Sequence, residues 1–164
     1  LHKKSYCSLN IMMFGLDPSF CQNFYEKNAK SAQEMTQNSG ISNLLLGYTI
    51  DEFSFSPCGY SLNAISNDYY HTIHITPQES CSYASFETNI DLVSYNSFIN
   101  NILSIFLPTK CILTLHGYET NLRCKKEIPT DKNTYNNIYK KSFFNNVKIN
   151  SDYNCHMAIY SKTE

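Results

Sequence analysis

From Tyr48 to Thr88 apolar and polar residues alternate with a period of two, which predicts strands over 48–55, 61–65, 70–76 and 82–88. Pro57-Cys58-Gly59, Ser66-Asn67-Asp68 and Pro77 mark the bends between them. The apolar run Ser8 to Leu16 reads as one more buried strand. In "LDPSFCQNFYE" the spacing turns helical: Asp17 can cap, Pro18 takes the first helical position, and Phe20, Phe24 and Tyr25 follow on one side. "SAQEMTQNSG" predicts a second short helix, with Ser31 and Glu34 in capping-box positions and Gly40 ending it. A third runs through "DLVSYNSFINNILSIFLP", with Val93, Phe98, Ile102, Ile105 and Phe106 as its stripe and Pro108 as its stop. "KCILTLHG", "SFFNNVKI" and "YNCHMAIYS" supply further strands, and residues 125–141 read either as irregular or as a polar helix. The sum is an α+β chain with a mainly antiparallel sheet, residues 1–164 forming a single domain.

The strand faces differ in kind. Ile73 and Ile75 point away from Thr72, His74 and Thr76, and Cys111, Leu113 and Leu115 oppose Ile112, Thr114 and His116. One face suits packing on helices. The other is half polar, which suits a site or a layer between sheets.

Composition narrows the partners. Thirteen basic and 14 acidic side chains leave a net charge of -1, so nothing electrostatic points to nucleic acid or to an anionic membrane. Arg123 is the only arginine, which excludes a phosphate clamp built from several. Seven dispersed cysteines without a Cys-x-x-Cys pair fit a reducing, cytoplasmic setting better than a disulfide framework. "IMMFGL" is too short and too soon followed by Asp17 to read as a signal peptide or membrane span.

Candidate chemistry gathers between residues 53 and 87. His71 and His74 lie three apart on a strand and face opposite ways, so no metal site is expected. Ser61 follows a glycine turn but lacks the Gly-x-Ser-x-Gly elbow of a hydrolase. Cys58 has no evident base beside it. Glu87, if its strand is central, needs a cationic partner or a proton. Phe53 and Phe55 share a strand face, as ordinary core or as a platform for a flat ligand. From the residues alone the chain is an α+β domain with a polar pocket.

Three stretches carry more. "LDPSFCQNFYEKNAKSAQEMTQNSGISNLL", "FSPCGYSLNAI" and "YHTIHITPQESCSYASFETN" together resemble eukaryotic S-adenosylmethionine decarboxylase, in the later part of its large subunit. The similarity runs from about residue 9 to residue 118. The resemblance implies a four-layer αββα sandwich, of which this chain supplies about half, with helices on one face of its sheet. It implies a proenzyme that cuts itself at a Glu-Ser bond and turns the serine into a covalent pyruvoyl group. That cofactor forms a Schiff base with S-adenosylmethionine and accepts electrons as CO2 leaves, on the route to spermidine. By the same resemblance Ser61 and His74 serve self-processing, His74 as the base of an ester-opening elimination. Phe55 stacks on adenine, and Glu87 belongs to a charged network that answers a diamine in animal relatives. The implied partners are the substrate and the rest of the proenzyme, with a homodimer as a further expectation.

Two departures stand out. Gln78 occupies the place of a ribose-binding Glu, and losing a charge-assisted bond there costs on the order of 1.5–3 kcal/mol if nothing compensates. No equivalent of the pyruvoyl serine or of the product-protonating cysteine is found, so the chain by itself is expected to be inactive. The competing reading is a catalytically dead paralogue that binds and regulates an active decarboxylase.

Overall fold

The computed structural model describes residues 7–118, 122 and 128–163. In chain order its elements are β1 (Cys7–Phe14), α1 (Pro18–Gln22), α2 (Ala32–Asn38), β2 (Thr49–Ser54), β3 (Tyr60–Ser66), β4 (Tyr69–Thr76), β5 (Tyr83–Thr88), α3 (Asn96–Phe106), β6 (Lys110–Tyr118), β7 (Thr134–Tyr135), β8 (Tyr139–Lys148) and β9 (Tyr153–Lys162). The strands form one antiparallel sheet in the order β2-β3-β4-β5-β1-β6-β9-β8-β7. The apolar run near the start of the chain therefore becomes the central strand β1, between β5 and β6.

The helices α1, α2 and α3 pack on the same face: Phe20 of α1 meets Phe106 of α3. Phe24 meets Tyr60, Thr36 bonds the Tyr60 hydroxyl at 2.5 Å, and Phe98 lies edge-on to Phe86. The inward residues Leu62, Ile73, Phe86, Ile11, Leu113 and Ala158 form one continuous buried row across six strands. The alternation anticipated for β4 and β6 holds: Ile73, Ile75, Cys111, Leu113 and Leu115 are buried, and their neighbours on the opposite face are not. No described element covers that opposite face.

Helix limits differ from the pattern at α1 and α3, and one capping contact differs at α2. Asp17 caps α1 by accepting from the Ser19 and Phe20 amides at 2.8 and 3.2 Å, but the helix ends after five residues. Tyr25 is extended instead, because its backbone bridges to Cys58 and its hydroxyl donates to the Pro77 carbonyl at 3.2 Å. At α2, Ser31 caps the Glu34 amide as expected, but the Glu34 carboxylate accepts from Lys30, one residue further out than in a capping box. Helix α3 starts only at Asn96, so Val93 lies outside it and is exposed; the buried stripe is Ile99, Ile102, Leu103 and Phe106. In the ambiguous 125–141 stretch, the described residues form a 3-10 turn at Pro129–Asp131 and the short strand β7.

The turn between β2 and β3 is held from outside. The Phe55 amide donates to the Gly59 carbonyl (3.0 Å), the Gly59 amide to Phe24 (2.9 Å), and the Glu26 amide to Pro57 (3.0 Å). The Ser56 hydroxyl donates to the Glu26 carboxylate at 2.7 Å. The segment leaving α1 thus clamps the turn, and that is why α1 stops where it does.

Gly59 has φ +122, which side-chain-bearing residues rarely adopt. Gly59→Ala should therefore destabilise the protein by about 1–3 kcal/mol through backbone strain, read as a shift in the urea unfolding midpoint.

His71 is 1% exposed, stacked within 4.3 Å of Tyr48 and beside Phe86 and Phe98, and its Nδ1 has no hydrogen-bond partner. Burial holds its pKa down at about 4, from an ordinary value of 6.5. The unfolded chain takes up this proton first, so the stabilisation is complete above pH 6.5 and is lost as pH falls towards 4. Unfolding free energy should drop by about 2–3 kcal/mol between pH 7 and 4.5 on this account. Denaturant titrations of His71→Phe at the two pH values should show a smaller drop.

Candidate functional site

Cross-strand register places the candidate residues. Phe53 pairs with Ser61, Ser61 with His74, and His74 with Ser85, so a row of four side chains crosses β2 to β5 on the uncovered face. Ser61 Oγ and His74 Nδ1 are 2.8 Å apart. Two tautomers satisfy this contact, one with the serine donating and one with the imidazole donating.

A shallow cleft of about 210 Å³ opens beside this pair, lined by Phe55, Cys58, Ser61, His74, Pro77 and Gln78 among others. Phe55 stands at its mouth, 45% exposed, next to the glycine turn. Gln78 reaches the cleft from the β4–β5 loop, where its Oε1 accepts from the Cys81 thiol at 3.7 Å. Pro77 is buried, and its carbonyl takes the Tyr25 bond already described, so the segment leaving α1 steadies this rim as well as the turn. Four residues singled out in the sequence thus meet in one place: Ser61, His74, Phe55 and Gln78.

Glu87 does not line that cleft. It sits on the uncovered face of β5, half buried, between Thr72 and Asn10 in register. Its observed partner is the Tyr70 hydroxyl, a neutral donor where the sequence reading asked for a cation or a proton. Further along this face Asn10 contacts His116 Nε2 at 3.3 Å, and His116 Nδ1 contacts the Tyr153 hydroxyl at 2.5 Å. His71 is far from this chemistry, in the core on the opposite face from His74, as the alternation requires.

Three contributors were not singled out in the sequence. Tyr25 was assigned to a helix, although here it anchors both rims of the cleft. Tyr70 and Ser85 were within reach, since alternation puts them on the faces of His74 and Glu87. What was missing was the register that makes them neighbours.

The sequence matches the family model described as Adenosylmethionine decarboxylase over residues 2–162. The S-adenosylmethionine decarboxylase proenzyme of Dictyostelium discoideum is 43% identical over 110 residues, which is 67% of this chain and 29% of that protein. Its counterpart in Xenopus laevis is 45% identical over 109 residues, 66% of this chain and 32% of that protein. The chain spans about a third of the length of these curated relatives. In three dimensions, the crystal structure of the Trypanosoma brucei AdoMetDC-delta26 monomer superposes with a TM-score of 0.87 at 24% identity, covering all of this chain and 67% of that one. The antiparallel sheet with its one-sided helices is the fold shared with that structure. Sequence and fold agree that this chain belongs to the adenosylmethionine decarboxylase family.

Proposed function

We propose that this chain is the C-terminal part of a pyruvoyl-dependent S-adenosylmethionine decarboxylase, a cytoplasmic enzyme of spermidine synthesis. The observation that carries the reading is the 2.8 Å contact between Ser61 and His74, at a cleft whose mouth holds Phe55. The rest of the proenzyme supplies the pyruvoyl-forming serine and a second sheet against the uncovered face, completing the αββα sandwich. Residues 1–164 act as one domain of that assembly.

The pair suits self-processing through one tautomer. With the imidazole N–H at Nδ1 donating to Ser61 Oγ, the Nε2 lone pair of His74 is free to take a proton from the carbon beside an ester. The Ser61 hydroxyl then keeps its own hydrogen to donate to an ester oxygen. One contact thus orients the base and leaves a donor beside it. The pyruvoyl group, once formed, supplies an electrophilic carbonyl for the substrate amine and takes up the electrons released with CO2. The lining suits such a group: Ser61 and His74 would flank it, no lysine or arginine is among the described lining residues, and Phe55 would offer a flat face for the adenine. Gln78 presents one acceptor oxygen and one NH2 donor to the ribose. Glu87, held by Tyr70, belongs to the diamine-responsive network rather than to the reacting centre.

Intact-mass measurement on the full-length protein tests this. After incubation with S-adenosylmethionine and cyanoborohydride, two chains are expected, the larger carrying a substrate-derived adduct at its N-terminus. A single uncut chain without adduct overturns the enzyme reading and leaves the regulatory paralogue.

His74→Ala should slow self-cleavage by about 100-fold or more, and hydroxylamine, which opens an ester without a base, should restore two chains. Gln78→Glu should lower KM for S-adenosylmethionine by about tenfold, with the rate of self-cleavage unchanged.

A further inference from the structure

Strand β2 is the outermost strand of its edge of the sheet, and on the uncovered face it carries Thr49, Asp51 and Phe53. Two polar residues are followed by a phenylalanine that is 61% exposed and fills no core. The apolar residue appears where the strand reaches Phe55. The two rings lie 4.9 Å apart, centroid to centroid, at 67° to one another, in the edge-to-face arrangement that aromatic quadrupoles favour.

Phe55 itself sits just past the end of β2, where its amide is tied to the Gly59 carbonyl. Its base lies against Gly59, with side-chain atoms 3.4–3.6 Å from where a Cβ on that glycine would be. Among the described residues, Phe53 is the aromatic ring that packs against that of Phe55. A ring free to rotate about its Cα–Cβ bond would have to be ordered when a flat ligand stacked on it, and that ordering subtracts from affinity.

We infer that Phe53 is a positioning residue for binding of the purine nucleoside part of the substrate: its ring holds that of Phe55 in place before the ligand arrives. The inference rests on the reading of Phe55 as the adenine-stacking residue. Phe53 lies beside Ser61 in register, yet it makes no contact with the Ser61–His74 pair that replaces theirs with each other. Its effect is therefore on ground-state binding of the nucleoside and not on proton movement at His74.

The test uses the full-length protein, with KM and kcat for S-adenosylmethionine and the rate of self-cleavage measured for Phe53→Ala, Phe53→Leu, Phe53→Tyr and Phe55→Ala. Phe53→Ala should raise KM about 3- to 10-fold, the size expected for one aromatic pair, with kcat and self-cleavage within about twofold of wild type. Phe53→Leu should resemble Phe53→Ala, because it restores bulk without a ring. Phe53→Tyr should return KM to within about twofold of wild type, because it keeps the ring. An unchanged KM in Phe53→Ala beside a raised KM in Phe55→Ala overturns the role of Phe53 while leaving the platform intact. An unchanged KM in both overturns the platform reading itself. Loss of thermal stability, kcat and self-cleavage together in Phe53→Ala, without recovery in Phe53→Tyr, would make the residue merely structural and overturn the inference.

Discussion

The site depends on something it does not itself supply: the registration of the sheet by its buried face. Leu62, Ile73, Phe86, Ile11, Leu113 and Ala158 sit opposite one another across six strands. Burying residues of this kind contributes roughly 2 kcal/mol each, so the row as a whole is worth on the order of 10 kcal/mol. A slip of one residue in any strand would turn its members towards the uncovered face. A slip exposes about three inward residues of its strand, a loss of roughly 6 kcal/mol at about 2 kcal/mol each, a large part of an ordinary domain's stability, so the register is fixed without help from the polar side. Once it is fixed, Phe53, Ser61, His74 and Ser85 have to line up, and a serine and a histidine thirteen residues apart have to meet.

The uncovered face divides into two territories. Over β2 to β5 it carries hydroxyls, an imidazole, the carboxylates of Asp51 and Glu87, and the ring of Phe53. Over β1, β6, β9 and β8 the same row continues as Met12, Ile112, Ile159 and Phe143. A sheet face built for water would be polar throughout, and this row turns apolar from Met12 onward. On the sandwich reading the second half is the floor against which the remaining sheet packs. The first half then becomes the wall of a cavity between sheets. Removing water from that cavity would strengthen the Ser61–His74 contact, since a hydrogen bond to a developing charge gains as the surroundings become less polar.

Much of this was legible in the chain, and for a physical reason. Period-two alternation reports directly which side of a strand is buried, so the opposite orientations of His71 and His74, and of Leu113 and Thr114, follow from counting. Asp17-Pro18 and Ser31 mark helix starts because unsatisfied amides there need an acceptor, and both caps are present. The failures concern contacts at a distance. Tyr25 has helical spacing from Phe20, but a bridge to Cys58 and a bond to Pro77 outweigh a further half-turn of helix. Val93 fits a helical stripe by spacing alone, yet the chain is not helical until Asn96. Glu87 is expected to need a cation or a proton if its strand is central, and the hydroxyl of a tyrosine seventeen residues earlier donates to it. Periodicity gives faces, whereas register and tertiary bonding decide who meets on them.

The same division runs through the site's chemistry. Ser61 and His74 are on adjacent paired strands, where ladders on both sides fix their separation, and a reaction that moves a proton needs that rigidity. Phe55 and Gln78 instead lie on the loops after β2 and β4, where position is set by a few tethers: Gly59, Tyr25 and the Cys81 thiol. Substitution is tolerated more readily there, because a changed loop residue alters what is bound without disturbing the ladder. On the proposed reading, the departure from the family at Gln78 falls on a loop, whereas Ser61 and His74, the residues assigned to self-processing, fall on strands. An amide in place of a carboxylate would weaken the hold on a ribose while leaving the Ser61–His74 geometry as it stands. On the proposed reading, that asymmetry fits altered substrate binding better than lost chemistry, since loss would have no reason to spare the strand pair.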